Sequence, residues 1–166
     1  MAKSICGAAA SVEEAVMYTP HVVTVYNVSH ETDPETFDDV TTNNITILKN
    51  VFLDASKGAN VRESGLEGAD AVELYIPFSV EAVDGVTGNV KIYAPPMEYW
   101  RAENKSGIWT LSIDRNTFFI KGEVVENIYT TEEYINLMHD NVYTVTKVDE
   151  KDFGSPSMQH WEVGGA

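Results

Sequence analysis

The chain has 166 residues and a mass of 18.4 kDa, which suits one domain. With 26 acidic and 11 basic residues the net charge is −15, which argues against sequence-specific binding to nucleic acid and against docking on anionic lipid. No apolar run reaches the ~18–20 residues that a membrane-spanning helix needs, so no membrane association is expected. The single cysteine, Cys6, permits no internal disulfide bond, which favours a protein assembled in a reducing cytoplasm.

The first 20 residues are predicted to form an N-terminal arm, separate from a single domain over residues 21–166. Residues 1–10 are small and apolar without periodicity, which indicates no regular secondary structure. Ser11 and Glu14 have the spacing of a capping box and predict a short helix over residues 12–18. The role of the first ten residues stays open at this stage.

The residues after the arm are predicted to be mainly β, because apolar and polar residues alternate and β-branched residues are frequent. The clearest strand covers residues 71–80, and its apolar face is formed by Val72, Leu74, Ile76 and Phe78. Gly164 and Gly165 are predicted to end the chain without structure. The eight predicted strands cover residues 21–28, 45–53, 71–80, 90–93, 108–113, 117–125, 142–148 and 159–163.

The predicted fold class is a small antiparallel β-barrel or sandwich with two short helices, a long loop and an N-terminal arm. The second short helix follows from the capping-box spacing of Thr130 and Glu133, and it should reach about residue 139. Residues 29–44 are predicted to be a polar connection. Because no long helices alternate with the strands, a doubly wound parallel sheet is disfavoured.

A long loop predicted over residues 54–70 is the first candidate for a functional surface. It is polar and contains three glycines, and loops of this length are usually functional or mobile. Four of its residues are candidates for contact with an adjacent subunit or a channel, namely Arg62, Glu63, Leu66 and Glu67. The Arg62 guanidinium suits bidentate pairing with a carboxylate across an interface.

Three aromatic residues, Tyr99, Trp100 and Trp161, are the second candidate surface. Tyr99 and Trp100 close the run YAPPMEYW, which contains two prolines and looks exposed. Tryptophan and tyrosine are enriched among the residues that dominate protein interfaces. Filling of the core at one end of the barrel is an equally weighted alternative for the run.

The sequence contains no motif that predicts catalysis, a metal site or a cofactor, so the protein is not expected to be an enzyme. The four histidines have no zinc-site spacing. The acidic residues between Glu31 and Asp39 lack the order of a calcium-binding loop. Cys6 lies in the predicted arm, without the held base that a nucleophilic cysteine needs.

Three segments carry a resemblance to a known family. They are ANVRESGLEGADAVELYIPF at residues 59–78, SGIWTLSIDRNTFFIKGEV at residues 106–124 and MQHWEVGG at residues 158–165. Together they resemble a little-characterised family encoded in the structural operons of tailed phages and prophages of Gram-positive bacteria. This family is similar to phage head-closure proteins, which are also called stoppers or head-to-tail connectors.

The resemblance implies a structural protein of the virion neck that is assembled in the host cytoplasm. Such proteins form a ring, here of about six copies with about twelve as the alternative. The implied partners are the portal and adaptor proteins above, the tail-terminator ring below, and double-stranded DNA that passes without sequence-specific binding. Two alternatives stay open, namely a tail terminator or tail-completion protein, and a small-molecule-binding β-barrel.

Overall fold

The computed structural model describes residues 19–56, 59–62, 65–68, 71–113, 116–126 and 131–166. For residues 59–62, 65–68 and 132 it describes the backbone alone. The helix predicted over residues 12–18 and the candidate Glu63 lie outside these described residues. The described residues form eleven strands, two α-helices and one 3-10 turn. The strands are β1 (His21–Thr32), β2 (Asp39–Ser56), β3 (Ala59–Arg62), β4 (Gly65–Gly68), β5 (Ala71–Pro77), β6 (Glu81–Asp84), β7 (Ile92–Tyr93), β8 (Ile108–Trp109), β9 (Thr117–Lys121), β10 (Val142–Lys151) and β11 (His160–Gly165), and the helices are α1 (Pro96–Arg101), α2 (Glu132–Met138) and the 3-10 turn Pro156–Met158.

Six strands pair into an antiparallel sheet that closes on itself, which confirms the predicted mainly β class. The order is β1-β9-β10-β11-β5-β2, and β2 pairs back with β1. The sheet turns at β2 and β10, because each pairs with different strands along its two halves. In β2 the change of partner follows Asn50, whose φ of 60° lies in the left-handed region that asparagine tolerates.

Buried side chains fill the inside of this closed sheet. The alternation predicted for β5 is confirmed, since Val72, Leu74 and Ile76 are buried and Phe78 packs against the same cluster. Phe119 of β9 joins this core from the opposite wall of the closed sheet, across from β5. A second, smaller core lies on the opposite face of β9 under α2 and consists of Tyr26, Val28, Ile45, Phe118, Ile120 and Ile135.

Two long segments that were predicted to be irregular contain strands. The prediction of a polar connection over residues 29–44 is wrong. The strands β1 and β2 pair as far as Thr32 and Asp39, so only the turn at residues 33–38 separates them. Both faces of this hairpin end are exposed, so its residues show no apolar alternation. The loop over residues 54–70 contains the end of β2 and the β3–β4 hairpin.

The chain end was also predicted wrongly, because Gly164 and Gly165 belong to β11. A Cβ atom built on Gly165 would lie 2.8 Å from Val72 Cγ1 and 2.9 Å from Phe119 Cζ. Glycine is therefore needed there because the core packs directly on the backbone. The two glycines mark close packing, and they do not mark an unstructured end.

The helices differ from the prediction in position. The helix α2 begins at Glu132, and its N-cap is Thr131, whose hydroxyl accepts a hydrogen bond from the Tyr134 backbone N–H at 3.3 Å. The helix α1 was not predicted, because six residues are too short to show helical periodicity. Pro96 suits its first turn, where no backbone N–H is required.

Candidate functional site

The first predicted surface is a two-stranded hairpin. Backbone pairing joins Val61 to Leu66, Arg62 to Gly65 and Asn60 to Glu67. The hairpin extends the β2–β5 connection, which ends in the pair between Ser56 and Ala71. Three of the four candidates, Arg62, Leu66 and Glu67, are thus brought onto one hairpin by backbone pairing.

The second predicted surface is mostly inside the protein. Tyr99 is buried, and its hydroxyl accepts a hydrogen bond from Asn44 Nδ2 at 2.8 Å. Trp100 is half-buried and stacks edge-on against Tyr99, with ring centroids 4.8 Å apart. Trp161 is buried in the main core. Tyr99 is therefore a core residue, which agrees with the alternative that the run fills the core. For Trp161, which lies outside that run, the expectation of an interface residue is corrected, because the fold buries it in the core.

Trp161 forms the centre of a cluster of four aromatic rings. Its ring centroid lies 4.3 Å from that of Phe78, 4.4 Å from that of Tyr93 and 6.1 Å from that of Trp109. The Tyr93 and Trp109 rings meet edge-on, with centroids 5.2 Å apart. Their segments are far apart in the sequence, so no local pattern reveals the cluster.

The four rings line a cavity of about 240 Å³ that we call the aromatic cleft. Val80, Ile92 and Lys91 complete its lining. Ile92 is 70% exposed, so an apolar side chain stands at the rim. Burial, followed by the charge of Glu150, raises the pKa of Tyr93. Glu150 of β10 pairs with Trp161 of β11, so it lies beside the cleft. The residues that line the cleft are thus mostly aromatic or aliphatic, and an acidic residue lies beside it.

A buried ion pair lies next to the cleft. The Nζ atom of Lys91 is 2.9 Å from Asp84 Oδ2, and it donates hydrogen bonds to Asn44 Oδ1 and, at 2.9 Å, to the Ile45 carbonyl. Burial lowers the pKa of Lys91, partly offset by its hydrogen bond with Asp84. Because the amine is surrounded by acceptors, we assign Lys91 a structural role.

The histidines make separate polar contacts. His21 Nδ1 accepts from the Leu53 backbone N–H at 2.9 Å, and His139 Nε2 lies 3.0 Å from Glu126 Oε1. His160 Nε2 lies 3.4 Å from Glu162 Oε1. Within the described ranges, no group of three or more His, Cys, Asp or Glu residues could hold a metal ion. No helix in the described part of the chain is long and apolar enough to cross a membrane.

Comparison with known proteins assigns a family to this fold. Residues 18–166 match the family described as "Family of unknown function (DUF6751)". No curated protein and no solved structure matches the chain significantly. The matched residues include every strand and helix described above, so the chain belongs to the family of unknown function DUF6751.

Proposed function

We propose that the protein is a structural, non-enzymatic subunit of a tailed-phage neck. It forms a head-closure ring of about six copies, with about twelve as the alternative, between the portal and adaptor proteins and the tail terminator. In this position it retains packaged DNA and offers a docking surface for the tail. The three sequence segments that resemble head-closure proteins suggest this function.

The structural observation that carries the proposal is the β3–β4 hairpin, which extends from a small closed sheet. Its two strands pair with each other and, among the described residues, with no other strand. A hairpin outside the main sheet can reach an adjacent subunit, the channel or the next ring. Arg62, in the last pair of this hairpin, supplies a cation for a carboxylate on a neighbouring copy of this acidic chain.

The net charge supports passage of DNA rather than tight binding. Each lysine or arginine that contacts a phosphate releases counterions and adds affinity. A chain with 26 acidic and 11 basic residues has few lysine and arginine side chains available for contacts with phosphates. A channel built from it would let a duplex slide, and contacts between rings would hold the particle together.

The two alternatives fit the fold less well. A tail terminator typically has a sheet flanked by substantial helices, whereas α1 and α2 have six and seven residues. A small-molecule carrier needs an apolar space inside its closed sheet. Here that space contains core side chains, among them Leu48, Leu74 and Phe119.

Replacement of residues 61–67 by a short Gly/Ser linker in the encoding phage tests the proposal. Loss of the hairpin should leave the closed sheet folded, because β3 and β4 are paired with each other alone among the described strands. We expect DNA-filled heads and free tails to accumulate separately, or heads to lose DNA. Electron microscopy of lysates and a count of infectious particles measure this.

The matched control replaces the exposed turn at residues 33–38 by a linker of the same kind. This turn joins β1 and β2 and does not contribute to the β3–β4 hairpin. The control phage should assemble normally. Normal joining of heads and tails by the residue 61–67 variant contradicts the proposal, as does an equal defect in both variants.

A further inference from the structure

The buried ion pair brings an amine, a carboxamide and a carboxylate into direct contact. Lys91 Nζ donates a hydrogen bond to Asn44 Oδ1 and lies 2.9 Å from Asp84 Oδ2. The Lys91 side chain is 0% exposed and that of Asp84 is 14% exposed. A nucleophilic amine, an acyl carbon and a base are the three groups needed to form an amide bond between two side chains.

We propose that Lys91 and Asn44 react to form an intramolecular amide bond, with Asp84 as the catalytic residue that carries the proton. The new bond joins Lys91 Nζ to Asn44 Cγ, and ammonia leaves. It links β2 covalently to the residue that precedes β7. The proposal concerns the single chain and does not depend on the function proposed above.

Hydrogen bonds fix the carboxamide in the orientation that the reaction needs. Asn44 Nδ2 donates to the Tyr99 hydroxyl at 2.8 Å. It also lies 3.0 Å from each of two backbone carbonyl oxygens, those of Lys105 and Ile108. Because a carbonyl can only accept, the amide nitrogen must face these groups and Oδ1 must face Lys91. The carbon Cγ is bonded directly to Oδ1, so the amine lies beside the atom that it attacks. Well-oriented groups in contact reach effective concentrations of about 10⁵ M or more.

The amine is held at the carboxamide from several sides. Lys91 Nζ donates to the Ile45 carbonyl at 2.9 Å and to the Thr46 hydroxyl at 3.2 Å, in addition to its contacts with Asn44 and Asp84. Burial lowers the pKa of Lys91, partly offset by the hydrogen bond with Asp84. A lowered pKa increases the fraction of neutral amine, which is the nucleophilic form.

The reaction starts with the transfer of one proton from the Lys91 ammonium to Asp84, which leaves a neutral amine. The amine nitrogen then bonds to Cγ of Asn44 and gives up a second proton, which passes to Nδ2. The bond between Cγ and Nδ2 breaks and releases ammonia. The ammonia takes the proton from Asp84 and departs as an ammonium ion, so the carboxylate is restored and nothing is oxidised or reduced.

Asp84 lies between the buried amine and a cavity of about 390 Å³, which Asn44 also lines and through which ammonium can leave. Burial alone would raise the pKa of Asp84, but hydrogen bonds from the Thr87 backbone N–H and from Lys91 hold it below its usual value. The proton therefore stays mainly on Lys91, and the neutral pair that reacts is a minor species. Bond formation is accordingly slow: the freshly folded chain contains the ion pair, and the linked chain accumulates with age.

Mass spectrometry of the purified wild-type chain, sampled over four weeks at neutral pH, tests the proposal. We expect a growing fraction of chains that have lost the mass of one ammonia molecule, and a branched tryptic peptide in which residues 44 and 91 are joined. Succinimide formation at an asparagine also releases ammonia, so the branched peptide is the decisive signal. The control is the wild-type chain kept unfolded in guanidinium chloride, where the same groups lack contact and no branched peptide should form.

Two variants separate the role of Asp84 from a general effect of charge. Asp84→Asn preserves the size of the side chain and removes the base, so the branched peptide should form at least about a hundredfold more slowly. Circular dichroism verifies that this variant is folded. Lys49→Met, which breaks an exposed ion pair with Glu81, should form the branched peptide at the wild-type rate.

Absence of the branched peptide from the folded wild-type chain after four weeks overturns the proposal. Formation at equal rates in the folded and unfolded chains also overturns it, since the folded site would then contribute nothing. A folded Asp84→Asn chain that reacts at the wild-type rate refutes the role of Asp84. The linked chain should unfold at a higher denaturant concentration than the unlinked chain, because the bond joins residues 47 positions apart and restricts the unfolded state. An unchanged midpoint would contradict this last expectation.

Discussion

Replacement of Lys91 by methionine should lower the free energy of unfolding by about 3–5 kcal/mol, because it removes one partner of a buried ion pair. The Lys91 side chain is 0% exposed and that of Asp84 is 14% exposed. Methionine fills the space but leaves the Asp84 carboxylate and the Ile45 carbonyl without the ammonium group. Urea denaturation followed by circular dichroism measures the loss.

Lys49→Met is the matched control, because it removes a lysine that pairs with an acidic residue across β2 and β6. The Lys49 Nζ atom lies 3.9 Å from Glu81 Oε1, and both side chains are substantially exposed. Exposed pairs contribute about 0–1 kcal/mol. If Lys91→Met costs no more than Lys49→Met, the structural role assigned to the buried pair is wrong.

The same ion pair predicts a dependence of stability on pH. Burial alone would raise the pKa of Asp84, but hydrogen bonds from the Thr87 backbone N–H and from Lys91 hold it below its usual value of 3.8. This stabilisation is present above pH 3.8 and is lost as the pH falls through the lower pKa of the folded state. The stability advantage of the wild type over Asp84→Asn should therefore narrow below about pH 4. A constant difference between pH 7 and pH 2 would contradict this assignment.

Removal of residues 160–166 should prevent folding altogether. The first six of these residues form β11, which pairs with β10 on one side and β5 on the other. Without β11 the closed sheet opens, and the core loses Trp161 and Val163. Loss of one large aromatic core side chain costs about 3–5 kcal/mol, and loss of the backbone hydrogen bonds of β11 adds to this cost. The total stability of a typical protein is about 5–15 kcal/mol. The near-ultraviolet circular dichroism spectrum and the cooperative thermal transition should disappear.

Removal of Ala166 alone is the control for this truncation. Ala166 is exposed, and its backbone exchanges two hydrogen bonds with Thr144 at 3.0 and 3.2 Å. Each such bond contributes about 0.5–1.5 kcal/mol, so this variant should keep a cooperative transition with a modestly lower midpoint. A cooperative transition in the longer truncation would show that β11 is dispensable and would contradict the closed-sheet account of stability.

The sequence predicts the strands whose two faces differ in burial. In β5 the buried Leu74 alternates with the exposed Glu73, so a period of two is visible. The end of the β1–β2 hairpin around Thr32 and Asp39 is exposed on both faces and shows no such period. At residue 165 the sequence-based prediction fails for a different reason. Only glycine fits there, because Val72 and Phe119 lie too close to the backbone for a larger residue. Those contacts exist only after β5, β9 and β11 come together.

The candidate site was harder to predict than the fold. The aromatic cleft draws Phe78, Tyr93, Trp109 and Trp161 from separate segments, and its shape depends on their tertiary arrangement. The sequence identified Trp161 as a functional candidate but could not separate a surface residue from a core residue. Lys91 lies in a short alternating run, and lysine usually indicates an exposed position. The burial of Lys91 could therefore not be predicted from the neighbouring sequence.

Immunogold electron microscopy of purified phage particles tests the central claim most directly. Antibodies raised against the purified chain are applied to intact particles and to particles opened at the neck, and labelling of the purified chain verifies the antibodies. The account predicts gold at the junction between head and tail, together with peptides of this chain in the mass spectrum of the washed particles. Particles that contain no peptide of this chain and carry no gold at the junction would contradict it.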